Sequence, residues 1–89
     1  MELNTISKTK NKAVFEIKGE SHTFCNVLRD ELWEDSDVTA SGYSIKHPLV
    51  GIPKFIIETK SKDVVSVLEN TSKSIKKKAN DFKKEFSKI

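Results

Sequence analysis

Hydrophobic and polar positions follow two periods along the chain, and together they predict the element order ββαββα. A period of two, typical of half-buried strands, is found in residues 1–7, 13–18, 38–46 and 55–59. In the second of these, Ala13, Phe15 and Ile17 point to one side of the predicted sheet. The polar stretch 8–12 predicts a hairpin turn, and Gly19 ends the second strand. Apolar parity changes at Gly42 within the third strand, so a β-bulge is expected there.

Residues 20–33 predict a helix with two faces to cover. One stripe is apolar and suits a helix lying on a sheet; it contains Phe24, Cys25, Val27, Leu28 and Leu32. The opposite side carries Asn26, Arg29, Asp30 and Trp33. A tryptophan beside an arginine is typical of an interface anchor. The alternative is that Trp33 folds over the helix end while Arg29 pairs locally with Glu34 or Asp30. Ser21 or Thr23 can cap the helix, which should stop near residues 35–37.

The last helix, with Asp63 as its expected cap, carries a heptad seam. The seam alternates steps of three and four residues through Val65, Leu68, Ser72, Ile75, Ala79, Phe82, Phe86 and Ile89. At about 1.5 Å per residue it spans roughly 37 Å, whereas a compact domain of this length has a radius of gyration of about 12 Å. The chain's own sheet therefore cannot cover the whole seam. The final turns either pack on another chain or fray and expose their aromatic side chains.

The loop at residues 47–53 is bracketed by two prolines and carries Leu49, Val50 and Ile52. Exposed loops seldom hold three aliphatic side chains without a neighbour. These side chains either tuck under the edge of the sheet or contact a partner.

The composition describes one soluble domain, residues 1–89, with 33% charged and 36% apolar residues. A domain of this size buries only about three-fifths of its unfolded surface, so a partner would help it. No apolar run is long enough to span a membrane, and the N-terminus lacks a signal peptide pattern, so a cytoplasmic location is expected. The single cysteine, Cys25, lies on the apolar stripe and suits a reducing compartment as a small core residue.

The residues that carry enzymatic or metal chemistry are too few, or too poorly placed, for a site. One Cys and two His cannot assemble a four-ligand structural zinc site, and the three glycines are too isolated for a phosphate loop. Glu20, Ser21 and His22 are sequence neighbours, a poor geometry for a nucleophile and its base. We expect no catalytic residue, metal, cofactor or small-molecule substrate. The net charge of +3 comes from lysines with a single arginine, which disfavours a dedicated DNA-binding protein.

Two short motifs give the chain a family resemblance. Residues 20–29, Glu-Ser-His-Thr-Phe-Cys-Asn-Val-Leu-Arg, resemble the helix signature of the small dimerising subunits of multisubunit RNA polymerases, in particular archaeal subunit L. Tyr43 followed by His-Pro-Leu at 47–49 resembles the second signature of that family. The family is itself similar to the N-terminal domain of the bacterial alpha subunit. Ser21 stands where an acidic residue is common, and Phe24 and Val27 stand where leucines are common. These changes keep a capping residue and an apolar stripe.

The resemblance implies an α+β two-layer sandwich: a four-stranded antiparallel sheet with two helices on one face and a long C-terminal helix. It also implies a heterodimer with the larger archaeal polymerase subunit of the same family, the D subunit. Small zinc-type subunits would complete a platform on which the large catalytic subunits assemble. DNA would be reached only indirectly, through that complex. Carried over by position, the dimer contacts are Phe24, Val27, Leu28, Leu32, Ile75, Phe82 and Phe86, and the outward platform contacts are Asn26 and Arg29. Trp33 has no trusted counterpart in the family.

A second hypothesis from another class is a free-standing dimeric module that binds chromatin or RNA. The scarcity of arginine disfavours it, whereas binding to duplex DNA with a steep salt dependence would favour it. The sequence leaves open whether the lysine-rich side of the last helix approaches DNA.

Overall fold

The computed structural model describes residues 2–20, 22–45 and 51–88, and its elements follow the predicted ββαββα order. They are β1 (Glu2–Lys8), β2 (Lys12–Lys18), α1 (His22–Leu32), β3 (Val38–Ser44), β4 (Lys54–Thr59) and α2 (Val64–Phe86). The strands form one antiparallel sheet in the order β1-β2-β4-β3. Both helices contribute to a common core with the central strands. The predicted α+β two-layer architecture with a long C-terminal helix is confirmed.

The core lies between the two central strands and the helices, as the period of two predicts. It contains Ala13, Phe15 and Ile17 of β2, Phe55 and Ile57 of β4, Cys25, Leu28 and Leu32 of α1, and Val64 and Val67 of α2. The rings of Phe15 and Phe55 stack with centroids 5.6 Å apart. Burial, and then the charge of Glu20, raise the pKa of the Cys25 thiol, so this cysteine remains a neutral core residue.

The β-bulge of β3 lies at the start of the strand, so the prediction at Gly42 is wrong. Val38 pairs with Thr59 and Tyr43 pairs with Phe55, so β3 uses one more residue than β4 over this distance. The register shifts between Val38 and Ala40. An extra residue there lets both Val38 and Tyr43 face the helices. A second register shift, between residues 5 and 7 of β1, was not predicted.

The predicted helix and strand ends are partly confirmed. Asp63 caps α2 by accepting a hydrogen bond from the Val65 amide at 2.8 Å, and Gly19 adopts a φ of 84°, which favours glycine. Thr23 lies inside α1 and therefore does not cap it, while the alternative cap, Ser21, lies outside the described residues. Helix α1 ends at Leu32, a few residues earlier than expected. Of the loop at 47–53, residues 47–50 also lie outside the described part.

A network of hydrogen bonds at one end of the sheet fixes the start of α2. The Asp37 carboxylate accepts from the amides of Lys62 at 2.7 Å and Ser61 at 3.0 Å. These amide donors hold the pKa of Asp37 below its ordinary value. The side-chain amide of Asn11 donates to the Lys62 carbonyl at 3.1 Å. The β4–α2 turn is therefore tied to both the β1–β2 hairpin and the α1–β3 turn, which sets the direction in which α2 leaves the sheet.

Helix α2 extends well beyond the sheet that supports it. Its 23 residues correspond to a length of about 34 Å, in a molecule with extents of 44 × 36 × 18 Å. The radius of gyration of 14.2 Å exceeds the value of about 12 Å for a compact domain of this length. Only the first turns contribute buried residues, and every residue from 76 to 88 is exposed. The C-terminal half of α2 is thus an arm that projects from the domain.

Candidate functional site

The projecting arm presents two large aromatic side chains to solvent. Phe82 is 71% exposed and Phe86 is 65% exposed, and their rings stack on each other with centroids 6.1 Å apart. The helix is regular through this region, and the Ser87 amide still donates to the Lys83 carbonyl at 3.0 Å. Fraying is therefore not the reason for the exposure. We refer to Phe82 and Phe86 as the aromatic ridge.

The heptad seam of α2 lies beside the buried face of the helix rather than on it. The buried positions of α2 are Val64, Val67 and Thr71, whereas Leu68 and Ile75 of the seam are only half-buried. The remaining described positions of the seam, Val65, Ser72, Ala79, Phe82 and Phe86, are exposed. The seam thus starts at the core and continues onto the uncovered arm. Ile89, its last position, lies outside the described residues.

A polar junction holds α2 against α1 where the arm begins. The Glu31 carboxylate accepts from the Ser74 hydroxyl and from Lys78 Nζ at 2.9 Å, and Lys78 Nζ lies 3.7 Å from a carboxylate oxygen of Glu34. The Ser74 and Lys78 donors hold the pKa of Glu31 below its ordinary value, while Glu31 raises the pKa of Lys78. Sequence reasoning missed this junction, because its members lie far apart along the chain.

The predicted dimer contacts of α1 fall into two groups. Leu28 and Leu32 are buried in the domain's own core, which leaves little of either side chain for a partner. Phe24 is half-buried against the core, and Val27 is 46% exposed. The expectation that Val27 lies on the sheet-facing stripe is therefore wrong, because the helix buries the positions centred on Cys25, Leu28 and Leu32. Val27 is instead exposed on the surface of the domain, where a partner can contact it.

An uncovered apolar side chain on the edge strand β1 was not predicted. Leu3 pairs with Ile17, so it shares the face of the sheet that carries the helices. Leu3 is nevertheless 59% exposed, whereas Ile17 is buried beside it. Its place follows from the pairing of β1 with β2, which the sequence pattern of β1 alone does not give. Besides the aromatic ridge, the helix-bearing side thus leaves Val27 and Leu3 uncovered.

A second cluster joins the two sequence motifs at the contact between α1 and β3. The Tyr43 hydroxyl donates to Asn26 Oδ1 at 3.1 Å and lies 2.9 Å from His22 Nδ1. The Arg29 guanidinium carbon lies 5.9 Å from the centroid of the Tyr43 ring. Arg29 Nε also forms an ion pair with Asp30 at 3.1 Å, which is the local alternative considered for Arg29. Asn26 and Arg29 are therefore held in fixed positions, both of them half-exposed.

Trp33 lies just beyond α1 and partly covers the outer edge of the sheet. It is 47% exposed and lines a shallow cleft of about 470 Å³ together with Gly42, Lys54 and Ile56. The indole therefore contacts its own domain, as the local alternative expects, and leaves about half of its surface exposed. A role for Trp33 as an interface anchor stays a prediction.

Within residues 2–20, 22–45 and 51–88, no group of three or more His, Cys, Asp and Glu side chains could hold a metal ion. Neither helix in the described part of the chain is long and apolar enough to cross a membrane. The prominent features of the described surface are thus the uncovered apolar side chains and the Tyr43 cluster.

Comparison with known proteins assigns the family. The model of the RNA polymerase Rpb3/Rpb11 dimerisation domain matches residues 12–85. The protein named DNA-directed RNA polymerase subunit Rpo11 of Methanosarcina acetivorans is 39% identical over 88 residues, which covers 99% of this chain and 96% of that protein. The protein of the same name from Methanothermobacter thermautotrophicus is 37% identical over 82 residues, covering 92% and 94%.

A solved structure supports the same assignment. The crystal structure of DNA-directed RNA polymerase subunit L from Thermoplasma acidophilum superposes with a TM-score of 0.86 at 29% identity, covering 98% of this chain and 86% of that one. The resemblance to archaeal subunit L is therefore confirmed in sequence and in fold. With most of its length matched by the family model, the chain belongs to the Rpb3/Rpb11 dimerisation domain family of RNA polymerase subunits.

Proposed function

We propose that the chain is an assembly subunit of a DNA-directed RNA polymerase that pairs with the larger D subunit through the aromatic ridge. The observation that carries this proposal is a regular helix that projects from its domain with Phe82 and Phe86 largely exposed. A soluble monomer gains nothing from two stacked phenylalanines in water. Burial of each would contribute roughly 1.5 to 3 kcal/mol before ordering costs are subtracted.

The same proposal assigns the partner a position on the helix-bearing side of the domain. The exposed or half-exposed contacts would be Phe24, Val27, Ile75, Phe82 and Phe86, with Leu28 and Leu32 supporting them from within the core. The contacts of Glu31 with Ser74 and Lys78 join α1 to α2 within the chain and favour one angle between them before a partner binds. A preset angle lowers the entropy cost of association. The partner would therefore dock onto a rigid frame made of both helices.

The pair would then serve as a platform for the small zinc-type subunits and the large catalytic subunits. Asn26 and Arg29 are our candidates for the contact with these further subunits, because Tyr43 and Asp30 hold them where α1 meets β3. In this function the chain supplies no catalytic side chain and no cofactor, and it works in the cytoplasm as part of the complex. Phosphodiester formation is the task of the large subunits.

The Arg29→Ala variant tests the platform contact separately from the pairing. We expect pairing with the D subunit to be unchanged, and incorporation of the large subunits into the complex to be about 5- to 30-fold weaker, the usual loss for an arginine anchor at an interface. The measurement is co-purification of the large subunits from a reconstitution at limiting concentration. Lys60→Ala, at an exposed position near the start of α2, is the matched control. Normal incorporation with Arg29→Ala would remove Arg29 from the platform contact.

A further inference from the structure

The positive charge of the chain is concentrated on the projecting arm and on the turn of α2 just before it. Residues 73–88 contain seven of the sixteen Lys and Arg side chains and two of the thirteen acidic ones. This segment therefore carries a charge of +5, whereas the chain as a whole carries +3, so the remainder is net negative. Segregation of this kind creates a local positive potential that the overall charge conceals.

Four of these lysines form a stripe on one side of this segment of α2. We call Lys73, Lys76, Lys77 and Lys84 the lysine stripe; with Asn80 and Asp81 they line a shallow groove of about 410 Å³. At 100° per residue the four lie within about 100° of one another, and their centre is roughly opposite Phe82. None of the four forms an ion pair with the residues that the structure describes, unlike Lys78 and Lys88 on the same arm.

We propose that the lysine stripe binds the phosphate backbone of duplex DNA without reading its sequence. Lysine acts on phosphate as a point charge, and the stripe has no arginine that could recognise base edges in bidentate fashion. This differs from the dedicated DNA-binding protein that the composition disfavours, because backbone contact needs only clustered positive charge. It also goes beyond the expectation that DNA is reached only through other subunits.

The shape and surroundings of the stripe favour a duplex over a single strand, and DNA over RNA. Single-stranded nucleic acids are bound by stacking on aromatic side chains, but Phe82 and Phe86 lie on the other side of the helix. A straight helix about 10–12 Å across can lie along the major groove of B-form DNA, which is about 12 Å wide. The deep, narrow major groove of A-form RNA does not admit it.

The stripe and the aromatic ridge can be occupied at the same time. They lie on opposite sides of one helix, so a protein that covers Phe82 and Phe86 leaves Lys73, Lys77 and Lys84 open. The proposal therefore does not rest on the pairing with another polymerase subunit, and either one can fail alone.

The test is fluorescence anisotropy of a labelled 20-base-pair duplex of arbitrary sequence, titrated with the full chain at several salt concentrations. At about 50 mM salt we expect a Kd on the order of 10⁻⁴ M or tighter, with a slope of log K against log salt near −3.6 for about four phosphate contacts. The triple variant Lys73→Gln, Lys77→Gln, Lys84→Gln should bind at least tenfold more weakly. Its slope should be smaller in magnitude by roughly 2.7, since three contacts are removed.

The matched control is Lys10→Gln, Lys18→Gln, Lys60→Gln, which removes the same charge from exposed positions elsewhere on the domain. Its binding should stay within about twofold to threefold of the unchanged chain. Equal losses in the two triple variants would show that only net charge matters and would overturn the proposal, as would the absence of binding by the unchanged chain. Equal or tighter binding of a 20-base-pair RNA duplex, a single strand or poly-glutamate would contradict the assignment to duplex DNA.

Discussion

The Phe82→Asp variant is expected to fold normally and to lose its pairing with the D subunit. Phe82 is 71% exposed in the chain alone, so the substitution removes no contact from the core. In the pair, the aspartate would forfeit the roughly 1.5 to 3 kcal/mol of apolar burial and would place an unpaired carboxylate in the contact. Together these effects exceed about 4 kcal/mol, which corresponds to a loss of affinity of roughly 1,000-fold. Co-purification with the tagged partner measures it.

The Asn80→Asp variant is the control for this experiment. It adds the same negative charge to the same arm, on the lysine side of the helix, and should pair with the D subunit as the unchanged chain does. A normal yield of the complex with Phe82→Asp would contradict the assignment of the aromatic ridge. Equal losses in both variants would mean that charge on the arm, rather than burial of Phe82, controls pairing.

The Phe55→Ala variant is expected to have the largest effect on the stability of the chain. Phe55 is fully buried, and its ring stacks between Phe15 and Tyr43 with centroids 5.6 and 6.4 Å away. Truncation of such a side chain costs about 3 to 5 kcal/mol, a large share of the total stability of a small domain. The Tm measured by circular dichroism should fall by at least about 12 °C, or the chain should be unfolded at the outset.

Replacing Phe86 with alanine should have the opposite effects, with little change in the stability of the chain and a clear loss of pairing. Phe86 lies on the projecting arm and is 65% exposed, so Phe86→Ala should change the free energy of unfolding of the isolated chain by less than about 0.5 kcal/mol. Its effect should be seen instead in weaker pairing with the D subunit. Equal shifts in Tm for the two variants would contradict the separation between a self-contained core and an uncovered arm.

The element order and the projecting arm could be predicted from the sequence because both depend on simple periods and lengths. Alternation placed Ala13, Phe15 and Ile17 on the core side of β2, where the structure buries all three. The length of the α2 seam, set against the size of a small domain, predicted that its last turns would be uncovered. Both predictions follow from local geometry and need no knowledge of distant contacts.

The failed predictions concern features that depend on how the elements pack. The β-bulge was expected at Gly42, whereas the pairing with β4 places the register shift just after Val38. The exposure of Val27 depends on how α1 is rotated about its own axis where it lies on the sheet. The apolar pattern of the helix defines this rotation only to within one or two residues. Leu3 is exposed because neither helix covers β1 sufficiently to bury it, and the strand pattern alone does not contain that information.

The contacts of the Tyr43 cluster were also beyond residue-by-residue reasoning. Only the family resemblance pointed to Tyr43, and the sequence shows no physical link between this residue and α1. The structure supplies that link through the hydroxyl contacts with Asn26 and His22. The Arg29–Asp30 ion pair was foreseen as one alternative, because adjacent charges can be recognised from the sequence.

The central claim is that another polypeptide covers the arm of this domain, and the mass of the chain in solution with the D subunit tests it most directly. Light scattering coupled to size-exclusion chromatography should give a single species at micromolar concentration, whose mass equals one copy of that partner plus one copy of this 10.1 kDa chain. The Phe82→Asp variant should give two separate peaks. Separate elution of the unchanged chain and its partner at that concentration would contradict the account.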